Sequence, residues 1–142
     1  MYLGADIWKM DNENGEECWA MLSDKYCVVM VNNAEETLAE RGLRLPSKHP
    51  WPLSAGCKLE LDCTAELKAD GVQFYQEIVG PLQWVVEIGR VDILLDSSLM
   101  SSYLAMPREG HLEEILHIVG YLKSHKKMRL LFDPAYPKMK ES

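Results

Sequence analysis

The side chains that could carry chemistry are scattered along this chain and do not form a known catalytic or metal-binding motif. The four histidines, at positions 49, 111, 117 and 125, do not occur as H-E-x-x-H, and those at 111 and 117 point to different faces of a helix. A helical histidine of this kind is expected at the surface. No Gly-rich phosphate loop and no G-x-S-x-G motif occurs. The sequence therefore predicts no catalytic residue, no metal ligand and no resident cofactor.

Asp92 and Asp96 come closest to a paired-carboxylate site, because they are one helical turn apart. Asp92 has another role available as the cap of the helix that follows, so a structural role is favoured. The four cysteines, at 18, 27, 57 and 63, include no C-x-x-C pair, and the N-terminus has no signal-peptide pattern. Free thiols and a cytoplasmic or nuclear location, without secretion or membrane insertion, are expected.

The charge of the chain is acidic overall but unevenly spread. The net charge is −7, yet the segment from Lys123 to Lys140 has six basic residues against Asp133. A basic segment of this kind can contact phosphate groups. It can also be a solvated helix end, where cations favour the C-terminal dipole. Charge alone favours the second reading.

The first half of the chain is predicted to be a β-hairpin, a helix and an irregular segment. Residues 2–22 alternate apolar and polar side chains around Asn14-Gly15, which supplies the positive φ angles of a tight turn. Ser23 can cap a helix over residues 24–41, and Gly42 can end it. Residues 43–69 hold three prolines within L-P-S-K-H-P-W-P, so no regular element is expected there. Trp51 is predicted to anchor this segment.

The second half is predicted to be three amphipathic helices and a short strand. Asp70 and Gln73 resemble a capping box, and Pro81 predicts a bend in the helix that follows. Asp92 is predicted to cap the third helix, whose apolar face has Leu95, Leu99 and Tyr103, with Met100 and Leu104 beside them. Residues 110–124 are predicted to form the fourth helix, and R-L-L-F-D-P the strand.

These elements predict an α+β fold that is mainly α, an N-terminal β-hairpin followed by a small helical bundle. They divide the chain into a hairpin (1–22), a helix with an irregular linker (23–69), and a helical bundle with a short C-terminal strand (70–142).

The order and spacing of these residues resemble the C-terminal part of the reverse transcriptase of copia-type retrotransposons. Tyr2-Leu3-Gly4 looks like the F-L-G of the primer-grip hairpin in that family. The family then runs Y-x-x-x-(V/I)-G-x-L-x-(Y/W), R-P-D-I, an aromatic and a Pro, a His, Y-L-K-G and L-x-F. The matching residues here are Tyr75, Gly80, Leu82, Trp84, Arg90, Asp92, Ile93, Tyr103, Pro107, His111, Tyr121, Leu122, Lys123, Leu130 and Phe132. Val91, Pro81 and Ser124 depart from the pattern.

The resemblance implies the primer grip and a thumb-like bundle of a polymerase, without its active sites. No residue corresponds to the catalytic Asp-Asp turn or to the ribonuclease H carboxylates of the family. The chain is therefore expected not to be an enzyme on its own, although the parent is a nucleotidyltransferase that uses Mg or Mn.

The expected partners are an RNA/DNA template-primer duplex and the rest of the Pol polyprotein. The resemblance places Tyr2, Leu3 and Gly4 at the nucleic acid, and charge adds Lys123, Lys126, Lys127 and Arg129. An alternative is a retained interaction module that binds a partner through its helices.

Overall fold

The computed structural model describes residues 4–46 and 49–132 and has the predicted α+β, mainly helical architecture. The strands are β1 (Asp6–Asp11), β2 (Glu17–Leu22) and β3 (Arg129–Phe132). The helices are α1 (Asp24–Glu40), α2 (Ala69–Glu87), α3 (Leu94–Ser101) and α4 (Glu109–Ser124). Two single 3-10 turns lie at Leu59–Leu61 and Val91–Ile93. Within the described ranges, none of these helices is both long and apolar enough to span a membrane.

The three strands form one antiparallel sheet in the order β1-β2-β3. The hairpin turns as predicted: Gly15 has a φ of 76°, and the side chain of Asn12 accepts the backbone N–H groups of Asn14 and Glu16. β3 then pairs with β2, with Arg129 opposite Leu22 and Phe132 opposite Trp19. Residues more than 100 positions apart in the sequence therefore share one sheet.

The hydrophobic core lies between α1, α2 and α4, with α3 packed against α2. Its apolar residues recur at helical spacing on each element. Within this core, the Tyr75 hydroxyl donates to the backbone carbonyl of Met100 at 2.7 Å. That bond ties α2 to α3, and burial raises the pKa of Tyr75 well above its ordinary value. The three-part division of the chain stays a prediction, although this core contains residues from both 23–69 and 70–142.

Two of the predicted helix caps are wrong in their side-chain chemistry. α1 begins after Ser23 and is followed by Gly42 at a φ of 71°, but the Ser23 hydroxyl makes no capping bond. α2 begins at Ala69, so Asp70 lies inside its first turn, where it pairs with Arg41 at 3.4 Å. Asp70 is therefore used for a contact between helices and not for a capping box.

The predicted apolar face of the third helix is right at Met100, Tyr103 and Leu104, which pack in or against the core, and wrong at Leu95 and Leu99. A 3-10 turn takes up Val91–Ile93, so α3 begins at Leu94 and is only eight residues long. The buried residues are then Ile93, Ser97 and Met100, whereas Leu95 is 69% exposed and Leu99 is also exposed. The extra turn rotates the helix, which changes the residues that face the core.

The irregular segment, described over residues 43–46 and 49–68, lies along α4 and is bonded to it by polar groups. The backbone N–H of Ser54 donates to Glu114 at 3.0 Å, and the His117 ring donates from Nδ1 to the Pro52 carbonyl at 2.8 Å. His49 stacks on His117 with ring centroids 3.6 Å apart. Trp51, predicted as the anchor, is 70% exposed. That prediction is wrong, because the backbone groups of Pro52 and Ser54, and not the Trp51 ring, bond the irregular segment to α4.

His111 was expected at the surface and is instead buried. Its ring stacks on Tyr103 at 4.0 Å and hydrogen-bonds to the Leu59 carbonyl at 3.0 Å, while Nδ1 accepts the Arg108 backbone N–H at 3.1 Å. His111 therefore joins the start of α4 to the irregular segment. Its partners come from distant parts of the chain, which a local pattern does not show.

Gly120 and Gly80 occupy helix interiors with opposite surroundings. A Cβ at Gly120 would overlap the carbonyl oxygen of Pro46, because the irregular segment passes directly over α4 there. A Cβ at Gly80 in α2 would meet open space. The neighbouring Pro81 lies inside α2, which is one continuous helix from Ala69 to Glu87, and a bend at Gly80-Pro81 stays a prediction.

We expect Gly120→Ala to lower the free energy of unfolding by about 1–3 kcal/mol, because the methyl group forces the irregular segment off α4. Gly80→Ala is the matched control and should raise it by about 0.5–1 kcal/mol, since alanine restricts the unfolded chain without a clash. Urea unfolding followed by circular dichroism measures both. Equal effects of the two substitutions would contradict the close packing of the irregular segment on α4.

Candidate nucleic-acid interface

The exposed cations of the candidate site lie where α4 turns back into the sheet. α4 ends at Ser124 and β3 begins at Arg129, so only four residues connect them. The backbone N–H of His125 donates to the Tyr121 carbonyl at 2.9 Å and ends the helix. Lys126, Lys127 and Arg129, here called the basic turn, are all exposed. No carboxylate within residues 4–46 and 49–132 forms an ion pair with them.

Lys123 was predicted with this cluster but has a different environment. Its ammonium group pairs with the carboxylate of Glu35 on α1. Half of its side chain remains exposed. The Lys123 charge is therefore already balanced by a neighbouring helix, unlike the charges of the basic turn.

The sheet register brings Gly4, the described residue of the predicted primer grip, toward the same end as the basic turn. Asp6 pairs with Leu22, and Leu22 pairs with Arg129, so the start of β1 and the start of β3 flank one end of β2. Gly4, two residues before β1, has a φ of 100° and approaches Tyr26 of α1. Tyr2 and Leu3 lie outside the described residues. Neighbouring strands are about 4.8 Å apart, so β1 and β3 are separated by about 10 Å.

A buried arginine fixes the position of the basic turn. Arg90 is 1% exposed, the largest of the fully buried side chains. Its guanidinium donates to both carboxylate oxygens of Asp92, at 2.9 and 2.8 Å, and to the carbonyl of His125 at 2.9 Å. The sulfur atoms of Cys27 and Met128 complete its surroundings at 3.9 Å. Arg90 thus connects α1, the 3-10 turn before α3 and the end of α4.

Asp92 is the counter-ion of Arg90 and does not cap α3, so the capping prediction is wrong. The N-cap residue of α3 is Ile93, and the Tyr121 hydroxyl donates to Asp92 at 3.0 Å. Burial acts to raise the pKa of Asp92, but the hydrogen bonds and charge of Arg90 outweigh it and hold that pKa below its ordinary value. Arg90, two residues earlier, was the available signal in the sequence.

The described carboxylates do not gather into a catalytic or metal-binding group. Asp96 lies one turn beyond Asp92, and burial raises its pKa. The oxygens of Asp92 are occupied by Arg90 and Tyr121. Among the described residues, no three His, Cys, Asp or Glu side chains are arranged to hold a metal ion. The exposed cations of the basic turn lie beside the buried pair of Arg90 and Asp92.

A substitution at Asp92 distinguishes its role as the counter-ion of Arg90 from a role as a helix cap. If Asp92 were a helix cap, Asp92→Asn would hardly change the free energy of unfolding. Because Asp92 is the counter-ion of a buried guanidinium, we expect Asp92→Asn to lower the free energy of unfolding by about 2–4 kcal/mol. Asp70→Asn is the matched control on an exposed pair and should change it by less than about 1 kcal/mol. Urea unfolding at neutral pH makes the comparison, and equal small effects would contradict the ion-pair role.

The same pair predicts an acid dependence of stability. The folded pKa of Asp92 lies below the unfolded one, so its contribution is present above the unfolded pKa of about 4 and is lost as the pH falls through the folded pKa. The difference in stability between the parent chain and Asp92→Asn should therefore shrink between about pH 5 and pH 2. Unfolding curves across that range test it, and a constant difference would exclude the linkage.

Comparison with known proteins gives one relative of stated origin. A protein of Saccharomyces cerevisiae named for the transposon Ty5-1 is 40% identical over 58 residues. These residues make up 41% of this chain and 19% of that protein, so the match spans about one fifth of the relative. No family model matches the chain, and no solved structure matches it. The chain is thus related in sequence to a transposon protein.

Proposed function

We propose that the chain is a non-catalytic piece of a copia-type retrotransposon reverse transcriptase that helps to hold the template-primer duplex. The observation that carries this proposal is the sheet register, which sets the approach to β1, with Gly4, and the basic turn at the same end of β2. The match to the Ty5-1 protein supports a transposon origin. The grip and thumb roles rest on the residue pattern.

Holding a duplex requires cations in fixed positions on a body that does not deform. The basic turn supplies the cations, and the bonds from Arg90 to Asp92 and His125 fix the backbone beneath them. Phosphate contacts of this kind position nucleic acid without reading its sequence. The parent polymerase would supply the carboxylates and the Mg or Mn ions for phosphoryl transfer, together with the rest of the Pol polyprotein.

We expect weak duplex binding that depends strongly on salt. Each phosphate neutralised contributes about 0.7–0.9 to the slope of log affinity against log salt concentration. The double substitution Lys126→Ala/Lys127→Ala should therefore reduce that slope by about 1.4–1.8 units. Fluorescence anisotropy with a labelled RNA/DNA duplex, at 50 and 200 mM salt, measures it.

The double variant Lys58→Ala/Lys68→Ala removes the same charge from exposed positions outside the basic turn and serves as the control. An equal loss of slope in both variants would show that only net charge matters and would contradict the proposed interface. Primer extension on an RNA template with magnesium or manganese completes the test. Extension by the pure chain would overturn the non-catalytic assignment.

The second candidate, a retained interaction module, is favoured by the exposed apolar residues of α3. Leu94, Leu95 and Leu99 lie at the surface of this short helix. If a protein partner binds there, Leu95→Lys should abolish that complex and leave duplex binding unchanged. Loss of duplex binding in Leu95→Lys would instead assign α3 to the nucleic-acid surface.

A further inference from the structure

Two histidine rings lie face to face where the irregular segment meets α4. His49 of the segment stacks on His117 of α4, with ring centroids 3.6 Å apart and planes within 24° of parallel. The His117 ring also donates from Nδ1 to the backbone carbonyl of Pro52 at 2.8 Å, so it holds the segment at a second point. Stacking at this distance suits neutral rings, because two imidazolium rings would bring like charges into contact.

One nitrogen of this pair has no bonding partner. The Nε2 atom of His49 is buried, and no described residue forms a hydrogen bond with it. A neutral imidazole can leave one nitrogen without a proton, whereas an imidazolium carries a proton on both. Protonation of His49 in this position would therefore bury an N–H group without an acceptor, which is costly. The packed position favours the neutral ring.

Within the described residues, the charged groups that act on His49 are both on α4 and act in opposite directions. Burial and the charge of His117 lower the pKa of His49, while the Glu114 carboxylate acts to raise it and is outweighed. Glu114 accepts hydrogen bonds from the backbone N–H and the hydroxyl of Ser54, so it is already used by the segment. Burial raises the pKa of the neighbouring Cys57 thiol to about 11, so that thiol is uncharged at neutral and acidic pH.

The irregular segment covers apolar surface at these contacts. Leu45, Leu53 and Cys57 of the segment pack against the hydrophobic core. The carbonyl oxygen of Pro46 lies so close to α4 that it would overlap a Cβ at Gly120. Separation of the segment from α4 would therefore expose apolar side chains of the segment and the part of the core beneath them.

We propose that the irregular segment is released by acid, because protonation of the stacked His49 and His117 rings separates it from α4 and exposes apolar core surface. In the released state the His49 ring is solvated and has an ordinary pKa of about 6.5. The pKa in the attached state is lower, so the released state binds more protons. The segment is therefore held most tightly above about pH 6.5, and its attachment weakens as the pH falls from there toward the lowered pKa.

The test follows hydrogen exchange of the Ser54 amide by NMR between pH 7.5 and pH 5.5, corrected for the intrinsic exchange rate. This N–H donates to Glu114 at 3.0 Å, so it is protected while the segment lies on α4. Its protection factor should fall by up to about tenfold per pH unit for each proton taken up on release. The ring-proton signals of His49 should titrate over the same pH range.

His49→Phe is the informative variant, because phenylalanine keeps a flat ring for stacking but cannot take up a proton. Its Ser54 protection factor should change by less than about twofold over the same range. His125→Phe is the matched control, since the His125 ring stacks on Tyr121 at 4.3 Å and has no bond to the irregular segment among the described contacts. This control should keep the fall seen in the parent chain, and circular dichroism verifies the fold of each variant.

A Ser54 protection factor that is constant with pH, or that is close to one already at pH 7.5, would overturn the inference. A fall that persists in His49→Phe would overturn it as well. The contribution of the Asp92 pair is lost only below about pH 5, so it does not enter this range. The inference is independent of the proposed function, because duplex binding and its dependence on Lys126 and Lys127 are measured at constant pH.

Discussion

The buried charge of Arg90 is the constraint on which the arrangement of this molecule depends. A guanidinium removed from water must be neutralised and hydrogen-bonded, and its partners here come from three parts of the chain. Asp92 follows it directly, Cys27 lies on α1, and the His125 carbonyl ends α4. The helices and the start of β3 must therefore assemble around Arg90 together. The basic turn, which begins one residue after His125, is placed by this requirement and not by its own side chains.

The residues that carry the resemblance to reverse transcriptases have structural roles in this chain. Tyr75 ties α2 to α3, and Tyr103 stacks on His111 at the start of α4. Arg90, Asp92 and Tyr121 form the buried polar network. Each is a polar or aromatic group that fixes one helix against another, so each needs a defined separation from its partner. That requirement fixes the spacing of these residues along the sequence.

Local chemistry made part of this fold predictable from sequence. The Asn14-Gly15 turn and the glycine after α1 act within a few residues, so the hairpin and the first helix could be located. The errors concern side chains whose burial and partners the local pattern does not show. Asp92 was assigned to a cap although Arg90 lies two residues earlier, because the sequence does not show that Arg90 is buried and needs a counter-ion. Trp51 was predicted to anchor the irregular segment, whereas the backbone of its neighbours Pro52 and Ser54 makes the contacts to α4. The local pattern also does not show that the exposed Trp19 and Phe132 are neighbours, since the two residues meet only through the pairing of β2 with β3.

The acidic net charge of −7 does not decide whether this end of the molecule meets nucleic acid. From Glu17 at the hairpin tip to Leu22 beside Arg129 is five residues, or about 17 Å of strand. That is about two Debye lengths at physiological salt, so repulsion from the tip is largely screened at the basic turn. Three carboxylates of this end are also paired: Asp6 with Lys25, Glu35 with Lys123 and Asp92 with Arg90. These ion pairs reduce the negative charge around the basic turn, whose three cations form no ion pair with a described carboxylate.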